Sequence, residues 1–415
     1  MISAGDTGFI LIASAMVLLM TPGLAFFYGG LGQRKNVVNT IMSSVFIMGL
    51  ASVMWILFGY TLSFGDDVGE LGIIGNLKWL AFNGVGMTPG PYAKTIPNSA
   101  FAAFQMMFAI ITPAIITGAV AGRMKFKALF MFVALWSIIV YYPVAHMVWG
   151  EGGFLVSLGV VDFAGGNVVH ISSGASALVI AIVLGKRKDL ELVSYRTHNI
   201  PLVVLGTGLL WFGWFGFNAG SALGANGLAA HAFITTNTSA AAAMLVWMLI
   251  DYITQKKTTL IGAVTGAVVG LASITQAAGY VPIWSALVIG ALASPICYFA
   301  VAVIKRKIGY DDALDAFGCH GVGGIIGAIA TGLFANSSIN SAVKWDGLVY
   351  GNSHLFMVQL LGVVVTIGFA VCGTLICLGI VRIFTPLRVS RREEQIGLDM
   401  AEHGESAYPS FNGFD

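Results

Sequence analysis

The segments DFAGGNVVHISSGASA (residues 162–177) and DALDAFGCHGVGGIIGA (residues 312–328) share one spacing, an aspartate followed eight positions later by a histidine. Both segments lie in apolar sequence, and small residues follow each histidine. Ionisable side chains inside a membrane segment are costly and mark transport paths or proton relays. The duplicated spacing therefore predicts a polar pathway at the interface of two internal repeats.

The composition is that of a membrane protein. Of the 415 residues, 57% are hydrophobic and 10% are charged, whereas a soluble domain carries about 25% charged residues. A helix needs about 20 apolar residues to cross a bilayer core of about 30 Å. We therefore predict an all-α polytopic membrane protein, with a transmembrane domain over residues 1–385 and a cytoplasmic tail over residues 386–415. The eleven predicted transmembrane helices are residues 7–31, 37–63, 97–121, 127–148, 163–185, 199–220, 227–251, 259–275, 282–304, 313–334 and 354–384.

Lysine and arginine predict the orientation of these spans. An odd number of spans places the two termini on opposite sides of the membrane. Eighteen of the 21 basic residues, Arg196 among them, fall in the connections on the side of the C-terminus, and only Lys78, Lys94 and Lys344 fall on the other side. Positive charge is enriched in cytoplasmic connections. We predict an N-terminus outside the cell membrane, a cytoplasmic C-terminus, and basic clusters that contact lipid and solvent rather than nucleic acid.

The order of the spans predicts two inverted repeats of five helices, plus one extra C-terminal helix. Asp162 then lies at the outer surface and Asp312 at the inner surface. At 1.5 Å per residue, each histidine lies about 12 Å further in, near the middle of a core of about 30 Å. Inverted repeats place their substrate sites at this depth. We interpret His170 and His320 as a functional pair.

Other interpretations of these residues remain open from the sequence. A histidine within a span is often only an interhelical hydrogen-bonding residue, and a haem or metal pair is a further alternative. The latter needs additional ligands, but the neighbouring residues are mainly Gly, Ala, Ser and Val, so we expect no metal and no cofactor. Asp162 is interpreted as a helix cap that also biases the outer vestibule toward cations. Asp312 is its inner counterpart, or part of an ordinary loop run with Asp311 and Asp315.

The first segment, DFAGGNVVHISS (162–173), resembles the signature of the ammonium transporter family (Amt/Mep/Rh). The resemblance covers essentially the whole chain, and Trp149 together with Ser221 points to the Amt branch. The other matching segments, in family order, are TPGLAFFYGG (21–30), YYPVAHMVWG (141–150), WFGWFGFNAGSA (211–222), DAFGCHGVGG (315–324) and EEQIGLDMAEHGESAY (393–408).

The resemblance implies an outer substrate-binding site formed by Trp149, Phe108 and Ser221, with Phe104 nearby. Aromatic faces attract a cation by about 0.5–2 kcal/mol per contact, and the hydroxyl accepts one N–H bond. These groups favour a small cation with hydrogen-bond donors over bare K⁺. Ammonium is therefore the implied substrate, and methylammonium is a further candidate.

Below this site, the resemblance implies that Phe108 and Phe217 form a gate. His170 and His320 then line the pore, with Trp214 beside them. An apolar constriction opposes a hydrated ion far more than neutral NH3. The implied mechanism is that NH4⁺ loses a proton near Asp162, NH3 passes the histidines, and it is reprotonated in the cytoplasm. Whether the proton returns outside or is relayed through the pair remains open, and we favour net charge movement.

The resemblance also implies a homotrimer in membrane lipid, with a PII-type signal protein docking at the cytoplasmic tail. We predict a transporter and not an enzyme. Two alternatives remain. One is an ammonium sensor that uses the same vestibule, and the other is a haem- or metal-bearing membrane redox enzyme.

Overall fold

The computed structural model describes residues 1–188 and 197–409. Within these ranges the regular structure is helical, with isolated β-bridges and no strand. Ten of the described helices are long and apolar enough to cross a membrane, and one shorter apolar helix accompanies them. In chain order they are α1 (Ala4–Leu31), α2 (Arg34–Phe64), α3 (Asn98–Val120), α4 (Phe126–Ser157), α5 (Gly166–Leu184), α6 (Ile200–Gly220), α7 (Gly227–Gln255), α8 (Leu260–Ile274), α9 (Ile283–Ile308), α10 (Phe317–Phe334) and α11 (His354–Phe384).

The short helix α8 has 15 residues, which corresponds to about 22 Å at 1.5 Å per residue. It is the predicted span 259–275, and with it the predicted set of eleven helices is confirmed. After Ile274 the chain forms turns up to Tyr280 instead of continuing as a helix. These turns pack against the segment that precedes α5.

Helices α1 and α6 pack closely and run antiparallel. Gly23 lies against Leu209, and Gly30, further along α1, lies against Asn199 at the start of α6. A Cβ atom at either glycine would overlap these neighbours. Small residues permit such close helix contact inside membranes. The first helices of the two predicted repeats therefore face each other in opposite directions.

Helices α5 and α10 make the equivalent contact between the last helices of the two repeats. Gly174 lies against Gly321, and His170 lies against Gly324. The contacting residue numbers rise along α10 as they fall along α5, so this pair of helices is also antiparallel. Both symmetry-related pairs thus agree with inverted repeats.

Both helices begin with a π-helical turn that carries the histidine. These turns span Gly166–Ile171 in α5 and Phe317–Gly321 in α10. A π turn inserts an extra residue into a helical turn and is frequent at functional sites. The sequence predicts both histidines on regular helix and does not indicate these π turns.

The C-terminal tail packs against connections that carry the basic clusters. The Leu398 backbone N–H donates to Asn36 Oδ1 over 2.8 Å, and the Phe126 backbone N–H donates to Glu402 Oε2 over 3.0 Å. A short helix α12 (Arg391–Ile396) begins with a capping box formed by Ser390 and Glu393. Of the predicted basic and tail segments, Arg196 and residues 410–415 lie outside the described residues.

Candidate functional site

A cavity of about 150 Å³ opens at the end of the bundle that holds the N-terminus of α5. Its wall combines aromatic rings with three polar side chains. The lining residues are Phe64, Tyr92, Phe101, Gln105, Phe108, Trp149, Asp162, Phe163, Ser221 and Leu223. We call this cavity the outer vestibule.

Trp149 and Phe108 are two aromatic residues in the wall of the outer vestibule. Trp149 ends the regular part of α4, and its Nε1–H donates to the Asp162 carbonyl oxygen over 2.9 Å. Its ring lies 5.9 Å from the Phe108 ring at 87°. The Ser221 hydroxyl donates to the Phe217 carbonyl oxygen over 2.9 Å, so its lone pairs remain available to an N–H donor.

Phe104 occupies a different position from its predicted neighbours. Its side chain is fully buried and packs edge-on against Phe108, with ring centroids 5.0 Å apart. Its other contact is Gly220, where any Cβ atom would overlap the ring. Phe104 therefore supports Phe108 from behind and does not line the outer vestibule.

Phe108 and Phe217 separate the outer vestibule from the histidines. Their ring centroids lie 4.3 Å apart at 39°, and both side chains are buried. Phe217 in turn lies 6.1 Å from the His170 ring. The two phenyl rings therefore link the wall of the cavity to the pair of imidazoles by direct ring contacts.

His170 and His320 contact each other directly through their Nδ1 atoms, 3.2 Å apart. Their ring planes differ by 14°, and the residues are only 1% and 3% exposed. One Nδ1 must carry a hydrogen and the other must accept it, so the pair shares one proton between the two facing nitrogens. Trp214 stacks on His170 at 5.5 Å, and its Nε1–H donates to Thr275 Oγ1.

Asp162 binds the free backbone N–H groups that begin α5. Its Oδ1 accepts from Gly165 and Gly166 over 2.8 and 2.7 Å, and its Oδ2 accepts from Asn167 and Val168 over 2.7 and 3.3 Å. Burial raises the pKa of Asp162 above its usual value, and these four bonds oppose the rise. Both oxygens are engaged, so the carboxylate has the geometry of a helix cap.

Asp312 binds the beginning of α10 through one of its two oxygens. Its Oδ2 accepts from the Phe317 backbone N–H over 2.8 Å, and its buried Oδ1 has no hydrogen-bond partner among the described residues. Burial raises the pKa of this carboxyl group to about 6. Asp315 instead pairs with Lys305 Nζ at 2.6 Å.

Asp311 belongs to a separate ion-pair network. Two guanidinium groups, those of Arg123 and Arg187, bind it, the latter through Nε and Nη2 over 2.8 and 2.7 Å. Burial opposes its ionisation, but the hydrogen bonds and charges of these arginines hold the pKa of Asp311 below its usual value. The three aspartates of this segment therefore have distinct partners and are not an unstructured acidic run.

Sequence reasoning missed several lining residues of the outer vestibule. Gln105 precedes Phe108 by one helical turn on α3, so the spacing could have placed both on one face. Phe163 follows Asp162 directly, and Leu223 follows Ser221 by two positions. Tyr92 comes from the long connection before α3, where no periodic pattern indicated a role.

The fold and this site are those of a helical membrane transporter built from two inverted repeats. A family model described as "Ammonium Transporter Family" matches residues 8–408 of the chain. The chain therefore belongs to the ammonium transporter family, as predicted. It is a multi-pass membrane protein that transports ammonium, in a family of transporters and not of enzymes.

Individual relatives agree over nearly the full length. An ammonium transporter of Bacillus subtilis is 52% identical over 404 residues, covering 97% of this chain and 98% of that protein. Ammonium transporter Amt1 of Archaeoglobus fulgidus is 46% identical over 407 residues, covering 98% and 100%. The crystal structure of Saccharomyces cerevisiae Mep2 superimposes with a TM-score of 0.86 at 37% identity, covering 94% and 91%. A structure described as a sensor Amt protein gives a TM-score of 0.87 at 31% identity, covering 96% and 98%.

Proposed function

We propose that the outer vestibule recruits NH4⁺ and that NH3 then crosses along His170 and His320. One observation carries this proposal, an unbroken series of ring contacts from the vestibule to the histidine pair. Trp149 lies 5.9 Å from Phe108, Phe108 lies 4.3 Å from Phe217, Phe217 lies 6.1 Å from His170, and the two histidine rings lie 5.3 Å apart.

The vestibule supports recruitment of a cation with N–H donors. The faces of Trp149 and Phe108 attract positive charge, by about 2 kcal/mol each at most in a dry site. Ser221 offers a hydrogen-bond acceptor, and the Asp162 carboxylate adds a negative potential. The four amide bonds to Asp162 indicate that it acts through this potential and is not an uncommitted base.

In this proposal the gate admits a neutral molecule, and the histidine pair carries the proton. Opening the contact between Phe108 and Phe217 admits a small neutral molecule at low cost, whereas a hydrated cation would lose its water shell there. Beyond the gate, the shared Nδ1 proton of His170 and His320 provides a relay. We propose that the proton follows this relay, so that transport moves net charge.

The membrane placement follows from the basic connections. The described part of the tail contacts those connections at one end of the bundle, and the outer vestibule lies with the N-terminus, where the Ser3 backbone N–H donates to the Thr95 carbonyl oxygen. Positive charge favours the cytoplasm. We therefore propose a cell-membrane protein with a transmembrane domain at 1–385, a cytoplasmic tail at 386–415 and an external N-terminus. Family resemblance supports a homotrimer with a PII-type protein at the tail.

The structural likeness to a sensor Amt protein favours a second candidate function, signalling of external ammonium through the tail. This candidate uses the same vestibule but does not require flux. Ammonium binding without transport would identify it.

Reconstitution in liposomes tests the proposed function. An ammonium concentration jump should give a saturable current, and a potassium jump should give none. A pH change inside the liposomes without current would contradict the relay and indicate net NH3 conduction. Neither current nor pH change, together with retained ammonium binding, would favour the sensor. The variant Trp149→Leu is the matched test of the vestibule, and it should raise the ammonium concentration that gives half-maximal flux by about tenfold.

A further inference from the structure

Two buried glutamines bind the backbone next to Asp162, one from the turns after α8 and one from α11. Gln276 lies just after α8, and its Nε2 donates to the Val161 carbonyl oxygen over 3.1 Å. Gln359 on α11 donates through Nε2 to the same oxygen over 2.7 Å. A carbonyl oxygen has two lone pairs, so the two bonds saturate it.

Gln276 also holds the other side of Asp162. Its own backbone carbonyl accepts the Phe163 backbone N–H over 3.1 Å. The side chain lies across the start of α5, where any Cβ atom at Gly166 would overlap it. Gln276 therefore binds the backbone of both Val161 and Phe163, and Asp162 lies between them.

These contacts of Gln276 affect two residues in the wall of the outer vestibule, Trp149 and Phe163. The carbonyl oxygen of Asp162 accepts the Trp149 indole N–H, and Phe163 lines the vestibule itself. Phe163 packs edge-on against Tyr280 at 5.4 Å and over Gly279, where any Cβ atom would overlap its ring. The turns that end α8 early thus form the support of this wall.

Burial of these two amide side chains carries a free-energy cost. Both side chains are fully buried, and the Oε1 of each has no hydrogen-bond partner among the described residues. An apolar side chain of similar size would avoid that penalty. The amide orientation is also determined, because Oε1 facing the Val161 oxygen would oppose two acceptors. What the amides contribute in return is the position of the Asp162 backbone.

We propose that Gln276 and Gln359 are positioning residues for ammonium recognition, which together fix the backbone at Asp162 and thereby the Trp149 and Phe163 walls. This inference rests on the vestibule of the proposed function. The two donors are redundant, because either one alone still occupies the Val161 oxygen. Loss of both leaves a buried carbonyl without a partner and releases the segment between Val161 and Phe163.

The test measures ammonium flux in liposomes for Gln276→Met, Gln359→Met and the double variant. Each single variant should change the half-saturating ammonium concentration by about twofold or less, and the double variant should raise it about tenfold or more, because a buried acceptor then loses every donor. The maximal rate should stay within about twofold, since the gate and the histidines are untouched. Gln255→Met, an exposed glutamine on α7 at the opposite end of the bundle, is the matched control.

A general structural role would lower the amount of folded protein or the maximal rate without this change in half-saturation, and that result would overturn the inference. Additive effects of the two single variants would overturn it as well. If the double variant does not purify as folded protein, Gln276→Glu carries the test. It keeps the shape of the side chain but places an acceptor against the Val161 oxygen, and the remaining Gln359 donor does not remove this repulsion, so half-saturation should rise about fivefold; no rise would overturn the proposal.

Trp149→Leu separates this inference from the proposed function. If Trp149→Leu leaves half-saturation unchanged, the vestibule assignment is wrong, and the inference that depends on it is overturned too. If Trp149→Leu raises half-saturation and the glutamine double variant does not, only the positioning role is wrong.

Discussion

Asp162 and Asp312 begin equivalent helices of two inverted repeats, yet they bind their surroundings differently. Asp162 accepts four backbone N–H groups with both oxygens engaged, whereas Asp312 binds the backbone with one oxygen and keeps the other buried and without a partner among the described residues. The outer helix start is therefore a closed arrangement held by its own backbone. The inner start is open at one oxygen and close to other charges.

The surroundings of the inner start extend to the tail. Asp311, next to Asp312, binds Arg187, and the neighbouring Lys188 backbone N–H donates to Glu394 of α12 over 2.8 Å. No equivalent chain of ion pairs reaches Asp162 among the described residues; its neighbours are bound by uncharged amides. One sequence spacing thus begins a helix closed by its own backbone bonds on one side, and on the other side a helix next to ion pairs that reach the tail.

The largest expected difference between the two starts is in stability. Asp162→Ala should lower the free energy of unfolding by about 3 kcal/mol or more, because each buried donor left unpaired costs about 1–3 kcal/mol. Asp312→Ala should cost less, about 1–2 kcal/mol, since only one of its oxygens binds the backbone and an unpaired oxygen is removed with it. Thermal unfolding in detergent, followed by tryptophan fluorescence, measures both. Equal losses of stability in the two variants would contradict the difference between the Asp162 and Asp312 helix starts.

The histidines should behave alike even though their helix starts do not. His170→Ala and His320→Ala should each reduce the ammonium-evoked current about a hundredfold, because the relay needs both Nδ1 atoms. The double variant should lose no more than either single variant. His231→Ala is the control, because this histidine bonds the Val281 carbonyl outside the path. A current that survives in one single variant but not in the other would show that the pair is not a symmetric relay.

The sequence predicted the parts of this site whose chemistry is unusual in a membrane. Two aspartates and two histidines at one repeated spacing are conspicuous against apolar sequence, and the structure brings His170 and His320 into contact. The π turns that carry them have no residue pattern of their own that the sequence could have indicated. Phe104 shares a helix face with Phe108, but Gly220 leaves room for its ring behind the vestibule.

The glutamine contacts were beyond sequence reasoning for a similar reason. Gln276 and Gln359 are far apart along the chain and meet at one carbonyl oxygen that carries no sequence signal. The sequence predicted helix α8 at nearly its true bounds. It did not indicate that the turns after Ile274, where the helix ends, pack against the segment that precedes α5. Such backbone-directed contacts are set by tertiary structure alone.

The pH dependence of stability provides a smaller test of the inner start. Burial raises the pKa of Asp312 from 3.8 to about 6, so the folded protein binds this proton more tightly than the unfolded chain. The resulting stabilisation is present below about pH 4 and is lost as the pH rises through about 6, with a slope of at most about 1.4 kcal/mol per pH unit. Asp312→Asn should remove this slope.

Unfolding of Asp312→Asn and of the unaltered protein between pH 4 and pH 7 measures the difference directly (a window set by those two pKa values). The variant should gain relative stability toward the upper end of this range. A difference that does not change with pH would mean that Asp312 is ionised throughout, and the unpaired oxygen would then need a partner of its own.

The smallest expected effect concerns the connection to the tail. Glu394→Gln weakens the pair with Arg388, whose side chain is 21% exposed, and should cost about 0.5–1 kcal/mol of stability. The amide oxygen can still accept the Lys188 N–H, so the tail should stay in place. Half-saturation by ammonium should not change, because the outer vestibule is bound by its own backbone and by Gln276. A rise in half-saturation would show that charge at the tail reaches the outer start, so that the two starts are coupled across the membrane rather than held independently.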